Sequence, residues 1–171
     1  VSLAAARLVS VQVTGAIGQP GTVAVPAYTP VSRIMPLVGD ILPQGSARNI
    51  TLYQNGDRQI VELYQSLLGL DAGVDPLVMN NARLHVGDQG GTVAVAGFVG
   101  RPAIFDLAAV QTEISIPELF RLAKIRLMAP GTKLDLLRFN DQGVPVSEPI
   151  AFGKDQMVQA GQAIQIQFVQ T

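Results

Sequence analysis

Residues 11–21 and 93–103 read VQVTGAIGQPG and VAVAGFVGRPA, so one pattern occurs twice, 82 residues apart. Two valines, two glycines and one proline are kept in register. The period exceeds the roughly 20–50 residues of solenoid repeats, and it suits a small globular domain. The sequence therefore predicts two related domains, at residues 1–90 and 91–171.

The composition is that of a folded chain with a weakly charged surface. Of 171 residues, 48% are hydrophobic and 15% are charged, which is unlike a disordered chain. The net charge is −1 with no basic run, so we expect no nucleic-acid partner. Without cysteine there is no disulfide, catalytic thiolate or cysteine-bound metal. The longest charge-free run, residues 8–32, is broken by glycines and prolines, so no transmembrane segment is expected.

Each half opens with the pattern of a β-hairpin. Val9, Val11 and Val13 alternate with polar residues, which is typical of a half-buried strand, and the second half repeats this from Val93. The following Gly-x-x-Gly-x-Pro supplies turn residues. The return strands are expected at residues 22–25 and 104–107.

A short helix is expected after each hairpin. Ser115 and Glu118 have the spacing of a capping box. In the first half, residues 31–38 have helical apolar spacing, but Pro36 removes a hydrogen bond, so this helix should be short or bent.

The rest of each half is predicted to be β-structure. Asn81 and Gly161 stand before the last strands, where both should shape a turn at positive φ. Prolines mark the strand at 144–149 as a sheet edge. Further strands are expected at residues 50–54, 59–63 and 134–139. Two strands, a helix and more strands predict an α+β fold, a β-grasp in each half.

These motifs resemble the SLBB (soluble ligand-binding β-grasp) domain. The resemblance covers about residues 9–88 and 92–170 as two copies. The residues that carry it are Gly15, Gly18, Pro20 and Gly21 in the first copy and Gly97, Gly100 and Pro102 in the second. The A-G-G-like turn of the family reads VGD at residues 38–40 and AKI at 123–125.

Tandem SLBB domains resemble those of bacterial polysaccharide export and capsule proteins. The resemblance implies a periplasmic or outer-membrane-associated module that docks other export components or copies of itself, with no cofactor. Neither the N-terminal segment nor the C-terminal membrane helix of the exporters is recognised, which favours a soluble fragment or an accessory protein. A weak carbohydrate-binding module that contacts the exported polysaccharide is the alternative.

The sequence offers little for catalysis. His85, the single histidine, alternates with apolar residues and is expected to face solvent from a strand. Phosphate-binding and nucleophile motifs are absent. The carboxylates of Asp71, Asp75 and Asp155 are explained by loop solvation, so we expect neither enzymatic activity nor a metal site.

Four side chains are candidate ligand contacts: Tyr28, Tyr53, Phe98 and Arg101. Tyrosine and phenylalanine offer apolar faces for sugar rings, and arginine suits an acidic glycan or a partner protein. Of the phenylalanines, Phe98 in the turn motif is expected to be exposed, whereas Phe120, Phe139, Phe152 and Phe168 are expected in the core. The strand at 162–170 is either an interior strand or an edge open to a partner.

Overall fold

The structure is a computed structural model that describes residues 5–70, 74–125, 130–152 and 156–168. The chain divides into two compact units, Val1–Gln89 and Gly90–Thr171. The predicted α+β class is confirmed, with about 49% strand and 12% helix. Within the described ranges, no helix is long and apolar enough to cross a membrane.

The first unit is a five-stranded mixed sheet with short helical turns. Its sheet order is β2-β1-β5-β3-β4, with β1 and β5 parallel and the other pairs antiparallel. The strands are β1 (Leu8–Gly15), β2 (Gly21–Pro26), β3 (Gly45–Gln54), β4 (Asp57–Val61) and β5 (Ala82–Asp88). The helices are two 3-10 turns (Val31–Arg33 and Met35–Val38) and α1 (Tyr64–Leu67).

The second unit repeats this arrangement. Its main sheet has the order β10-β9-β12-β6-β7, and a small sheet pairs β8 with β11. The strands are β6 (Thr92–Gly97), β7 (Ala103–Asp106), β8 (Glu113–Ser115), β9 (Thr132–Phe139), β10 (Pro145–Ile150), β11 (Met157–Gln159) and β12 (Ala163–Phe168). The helix is α2 (Ile116–Leu122).

The two units share an equivalent backbone hydrogen bond directly after the repeated glycine. The amide of Ala16 donates to the carbonyl oxygen of Val86 at 2.9 Å, and that of Phe98 donates to Ile166 at 2.8 Å. Each bond joins the end of the first strand to the parallel last strand of its unit. The repeat in the sequence is therefore a repeat in backbone structure.

Each sheet buries one face. The valines that alternate in β1 are buried, and the alternate residues of β5 lie beside them in the same core: Val9, Val11, Val13, Ala82, Leu84 and Val86. The second unit buries Val93, Val95, Ile164 and Ile166 at the equivalent positions. The residues between these positions face the other side of each sheet, because side chains alternate along a strand.

Several local expectations are confirmed. The first helix is split into two 3-10 turns around Ile34, just before Pro36, and the Ser115 side chain accepts from the amide of Glu118 at 3.4 Å. Asn81 and Gly161 have φ of 60° and 83°. The proline-containing β10 lies at a sheet edge.

Two features differ from the expectations. The pattern gave no sign of α1 or of the β8–β11 sheet, since both are short and the sheet joins strands far apart in sequence. Phe139, Phe152 and Phe168 are exposed, so their placement in the core was wrong, whereas Phe120 is buried. The last strand lies between β9 and β6, which confirms the interior-strand alternative; Val169 and Gln170 lie outside the described residues.

Candidate functional site

Glycine at the start of the repeated motif is required by backbone geometry. Gly15 and Gly97 have φ of +95° and +93°. A Cβ atom at either would lie 2.0 Å from the carbonyl oxygen of Val86 or Ile166. Only glycine allows the first strand to turn this close to its parallel neighbour. These two motif glycines therefore have a structural role.

The hairpin loop of the first unit is part of the core. Ile17 is 2% exposed, and Ala16 is also buried. The amide of Gly18 donates to Asp40 at 3.0 Å, and that of Gln19 donates to Val38 at 2.8 Å. These bonds hold the loop against the end of the second 3-10 turn and the residues just after it.

The equivalent loop of the second unit presents an aromatic side chain to solvent. Phe98 replaces Ala16 and is 70% exposed, as the sequence predicted. Its ring centroid lies 5.7 Å from that of Phe168, which is 42% exposed. We call Phe98 and Phe168 the aromatic loop surface. Phe168 was missed because its inward parity in β12 indicated a core residue.

The outer face of the first sheet carries a row of polar and aromatic side chains. Strand register places one residue from each of the five strands side by side, in the order Thr22, Gln12, Arg83, Tyr53 and Arg58. We call this row the arginine face. The guanidinium carbon of Arg83 lies 5.4 Å from the centroid of the Tyr53 ring. Tyr53 is half-buried and the other four residues are exposed.

Register gives the equivalent row in the second unit, and its chemistry is different. The residues there are Ile104, Ala94, Ala163, Leu137 and Ser147. This row carries no charge, and Ile104 is 68% exposed. One fold therefore carries two different outer faces.

The four candidate ligand contacts are divided equally between the two units. Tyr28 and Tyr53 belong to the first unit, and Phe98 and Arg101 to the second. Tyr28 sits in a turn at φ 65°, where its amide donates to Val78 at 2.9 Å, and its side chain is exposed. Arg101 is half-buried in the hairpin loop. Strand pairing places Arg83 and Arg58 beside Tyr53, and the sequence spacing did not predict this arrangement.

The described clefts include one in each unit. A cleft of about 330 Å³ in the first unit is lined by Ser32, Met35, Pro36, Asp40, Ile41, Leu63, Ser66 and Leu67. A second, of about 440 Å³, is lined by residues 132–134 and 149–152 of the second unit. Neither contains Tyr28, Tyr53, Phe98 or Arg101.

The residues considered for catalysis have structural partners. The exposed His85 has Nδ1 3.0 Å from the Thr14 hydroxyl oxygen. Asp75 accepts from the Ser32 hydroxyl at 2.6 Å and from its amide at 3.2 Å. Asp71 and Asp155 lie outside the described residues. Within the described part of the chain, no three acidic or histidine side chains are grouped to hold a metal ion.

Within the described ranges, three ion pairs involve residues outside the arginine face. Arg48 pairs with Glu62 at 2.8 Å, and Arg121 pairs with Glu118 at 2.7 Å on α2. Arg138 pairs with Glu148 across β9 and β10. The hydrogen bond to Glu148, and then its charge, raise the pKa of the Arg138 guanidinium. None of these three pairs involves a residue of the arginine face.

Comparison with protein-family models gives no match, and comparison with curated proteins gives none.

Proposed function

We propose that the chain is a pair of SLBB-like β-grasp units that serves as a non-enzymatic docking module in bacterial polysaccharide export. It would act in the periplasm or at the outer membrane. Its partners would be other export components or further copies of itself.

The topology of each unit supports the β-grasp assignment. A hairpin leads to a short helical segment and then to a second antiparallel pair, and the last strand returns parallel to the first. This order matches a mixed sheet that packs a helix against one face. The glycine geometry at Gly15 and Gly97 explains why the motif recurs in both units.

The aromatic loop surface is the observation that carries the docking role. Phe98 is exposed where the equivalent Ala16 is buried, so the fold itself does not need an aromatic residue there. Exposed aromatic side chains are enriched at protein interfaces, where their burial dominates the binding energy. A loop that projects a phenylalanine beside a second one therefore suits a protein partner.

Gene deletion and complementation test this function. Deleting the gene in the bacterium that encodes the chain should lower the amount of surface polysaccharide and leave polymer inside the cell. Supplying the full chain in trans should restore export. Unchanged surface polysaccharide in the deletion strain would contradict the proposal.

The proposed lack of enzymatic activity is tested separately. Purified protein incubated with the exported polysaccharide should leave the polymer's size and its reducing ends unchanged. Saturable turnover by the pure chain would contradict it.

A second candidate function is weak carbohydrate binding, favoured by the exposed arginine face around Tyr53. Tyr28, Phe98 and Arg101 are the further candidate contacts. If alanine at both Phe98 and Arg101 leaves glycan affinity unchanged, that pair is removed from the site.

A further inference from the structure

We propose that the arginine face of the first unit binds a glycan strand that carries carboxylate groups, such as a uronic-acid polymer. The inference rests on the second candidate function, carbohydrate binding, and is independent of docking through the aromatic loop surface. It assigns the site, the charge class of the glycan and the residues that recognise it.

The fold does not require charged or aromatic residues on this face. At the equivalent positions of the second unit, alanine replaces Gln12 and Arg83, leucine replaces Tyr53, and serine replaces Arg58. The backbone pairing is the same in both units. The arginines and the tyrosine are therefore specific to the first unit's outer surface.

The face has an excess of positive charge. Arg83 and Arg58 flank Tyr53 on its two neighbouring strands, so their strands lie about 10 Å apart. The next row across the sheet is Thr14, His85, Thr51 and Ile60, which holds no carboxylate. Asp57 precedes Arg58 and alternates to the other side of β4. An anionic ligand therefore meets two guanidinium groups without an acid between them in the row.

The mixture of groups favours a glycan over other anions. A guanidinium group binds a carboxylate through two parallel hydrogen bonds. The side chains of Gln12 and Thr22 complete the row with groups that can exchange hydrogen bonds with sugar hydroxyls. A polyacidic peptide offers carboxylates but no ring hydroxyls. Nucleic acid needs more cationic contacts than two arginines in a chain of net charge −1.

The test compares an oligosaccharide that has free carboxylates with the same oligosaccharide after its carboxyl groups are methylated. Nitrogen-labelled full chain is titrated with tetragalacturonic acid and, separately, with its methyl ester, while backbone amide signals are followed by NMR. We expect saturable shifts for residues 12, 53, 58 and 83 with the acid only, diminished by added salt. Equal shifts with the ester, or acid-induced shifts confined to other residues, would overturn the proposal.

Matched arginine variants locate the contacts. Arg58→Gln and Arg83→Gln should each weaken affinity about threefold to tenfold, because each removes one charge-assisted contact at an exposed site. Arg33→Gln, an exposed arginine on the first 3-10 turn, should leave affinity unchanged. The amide spectrum of each variant shows whether it is folded. An equal loss in Arg33→Gln would show non-specific charge attraction and overturn the assignment.

The same titration separates failure of this site from failure of sugar binding. If shifts cluster at Phe98 and Arg101, the chain binds glycan but not at the arginine face, and only this inference fails. If neither oligosaccharide causes shifts, this inference and the carbohydrate-binding function both fail. If an acidic hexaglutamate peptide binds the face more tightly than the tetrasaccharide, the glycan assignment is wrong.

Discussion

The two hairpin loops begin with the same backbone geometry but differ in how far their side chains are buried. In the first unit, Ala16 and Ile17 are buried, whereas in the second Phe98 lies exposed beside Phe168. The glycine that starts each loop has nearly the same φ in both. The comparison teaches that Gly15 and Gly97 maintain the fold, while the residues that follow them are free to take on separate roles.

The outer sheet faces repeat this lesson. Tyr53 lies between two arginines in the first unit, and Leu137 takes its position in the second. Since equivalent register positions hold such different chemistry, stability does not account for either row. Features shared by the units belong to the fold, and features that differ are the candidates for function.

The largest expected effect comes from the motif glycines. Gly15→Ala and Gly97→Ala should each destabilise their unit by more than about 3 kcal/mol, since a left-handed φ and a clash with a backbone oxygen add together. Urea unfolding followed by circular dichroism measures the loss. Gly21→Ala, where a Cβ meets nothing within 4 Å, is the control. If Gly97→Ala leaves the free energy of unfolding unchanged, the two glycines do not have equivalent roles.

Truncation of Ile17 and of its equivalent, Val99, should destabilise the two units by different amounts. Ile17→Ala should cost about 2–4 kcal/mol because it opens a cavity in the core. Val99→Ala, at the half-buried equivalent, should cost less than about 1 kcal/mol. The denaturant midpoints of the two variants measure their losses of stability. Equal losses would contradict the different burial of the two loops.

The helix cap should matter in only one unit. Ser115→Ala removes the acceptor for the amide of Glu118 and should cost about 1 kcal/mol. The matching 3-10 turn, Val31–Arg33, follows Pro30 and has no side-chain cap. The hydroxyl of Thr29 donates instead to the carbonyl oxygen of Pro26. Thr29→Ala serves as the matched variant in thermal unfolding. A cost below the measurement error for Ser115→Ala would show that the cap contributes nothing.

The smallest expected effect is a gain in stability. Lys124 has φ 56° where the first unit has Gly39 at 76°. Lys124→Gly should stabilise the second unit by about 0.5–1 kcal/mol, because glycine adopts this conformation without strain at a helix end. The reverse change, Gly39→Lys, should destabilise the first. Calorimetry of both variants measures the pair, and a loss of stability in Lys124→Gly would contradict this explanation.

The local elements could be predicted because their signals are local. Alternating valines, the Gly/Pro turns, Ser115 and the positive-φ Asn81 each act within a few residues. The helix α1 escaped prediction because four residues are too few to show a helical apolar period.

The candidate surfaces were less predictable because they depend on pairing across the sheet. Phe98 was recognised from its place in the turn motif, but its partner Phe168 is 70 residues away in sequence. Tyr53 and Arg83 meet only because β3 and β5 pair in this register. Neither contact leaves a pattern along the chain.

The most direct test of the docking role compares two phenylalanines of the same unit. Phe98 and Phe139 are 70% and 68% exposed, so serine at either should leave stability nearly unchanged. Each variant is supplied to the deletion strain, and surface polysaccharide is measured at equal protein level. We predict that Phe98→Ser fails to restore export and that Phe139→Ser restores it. Full export with Phe98→Ser would contradict the account.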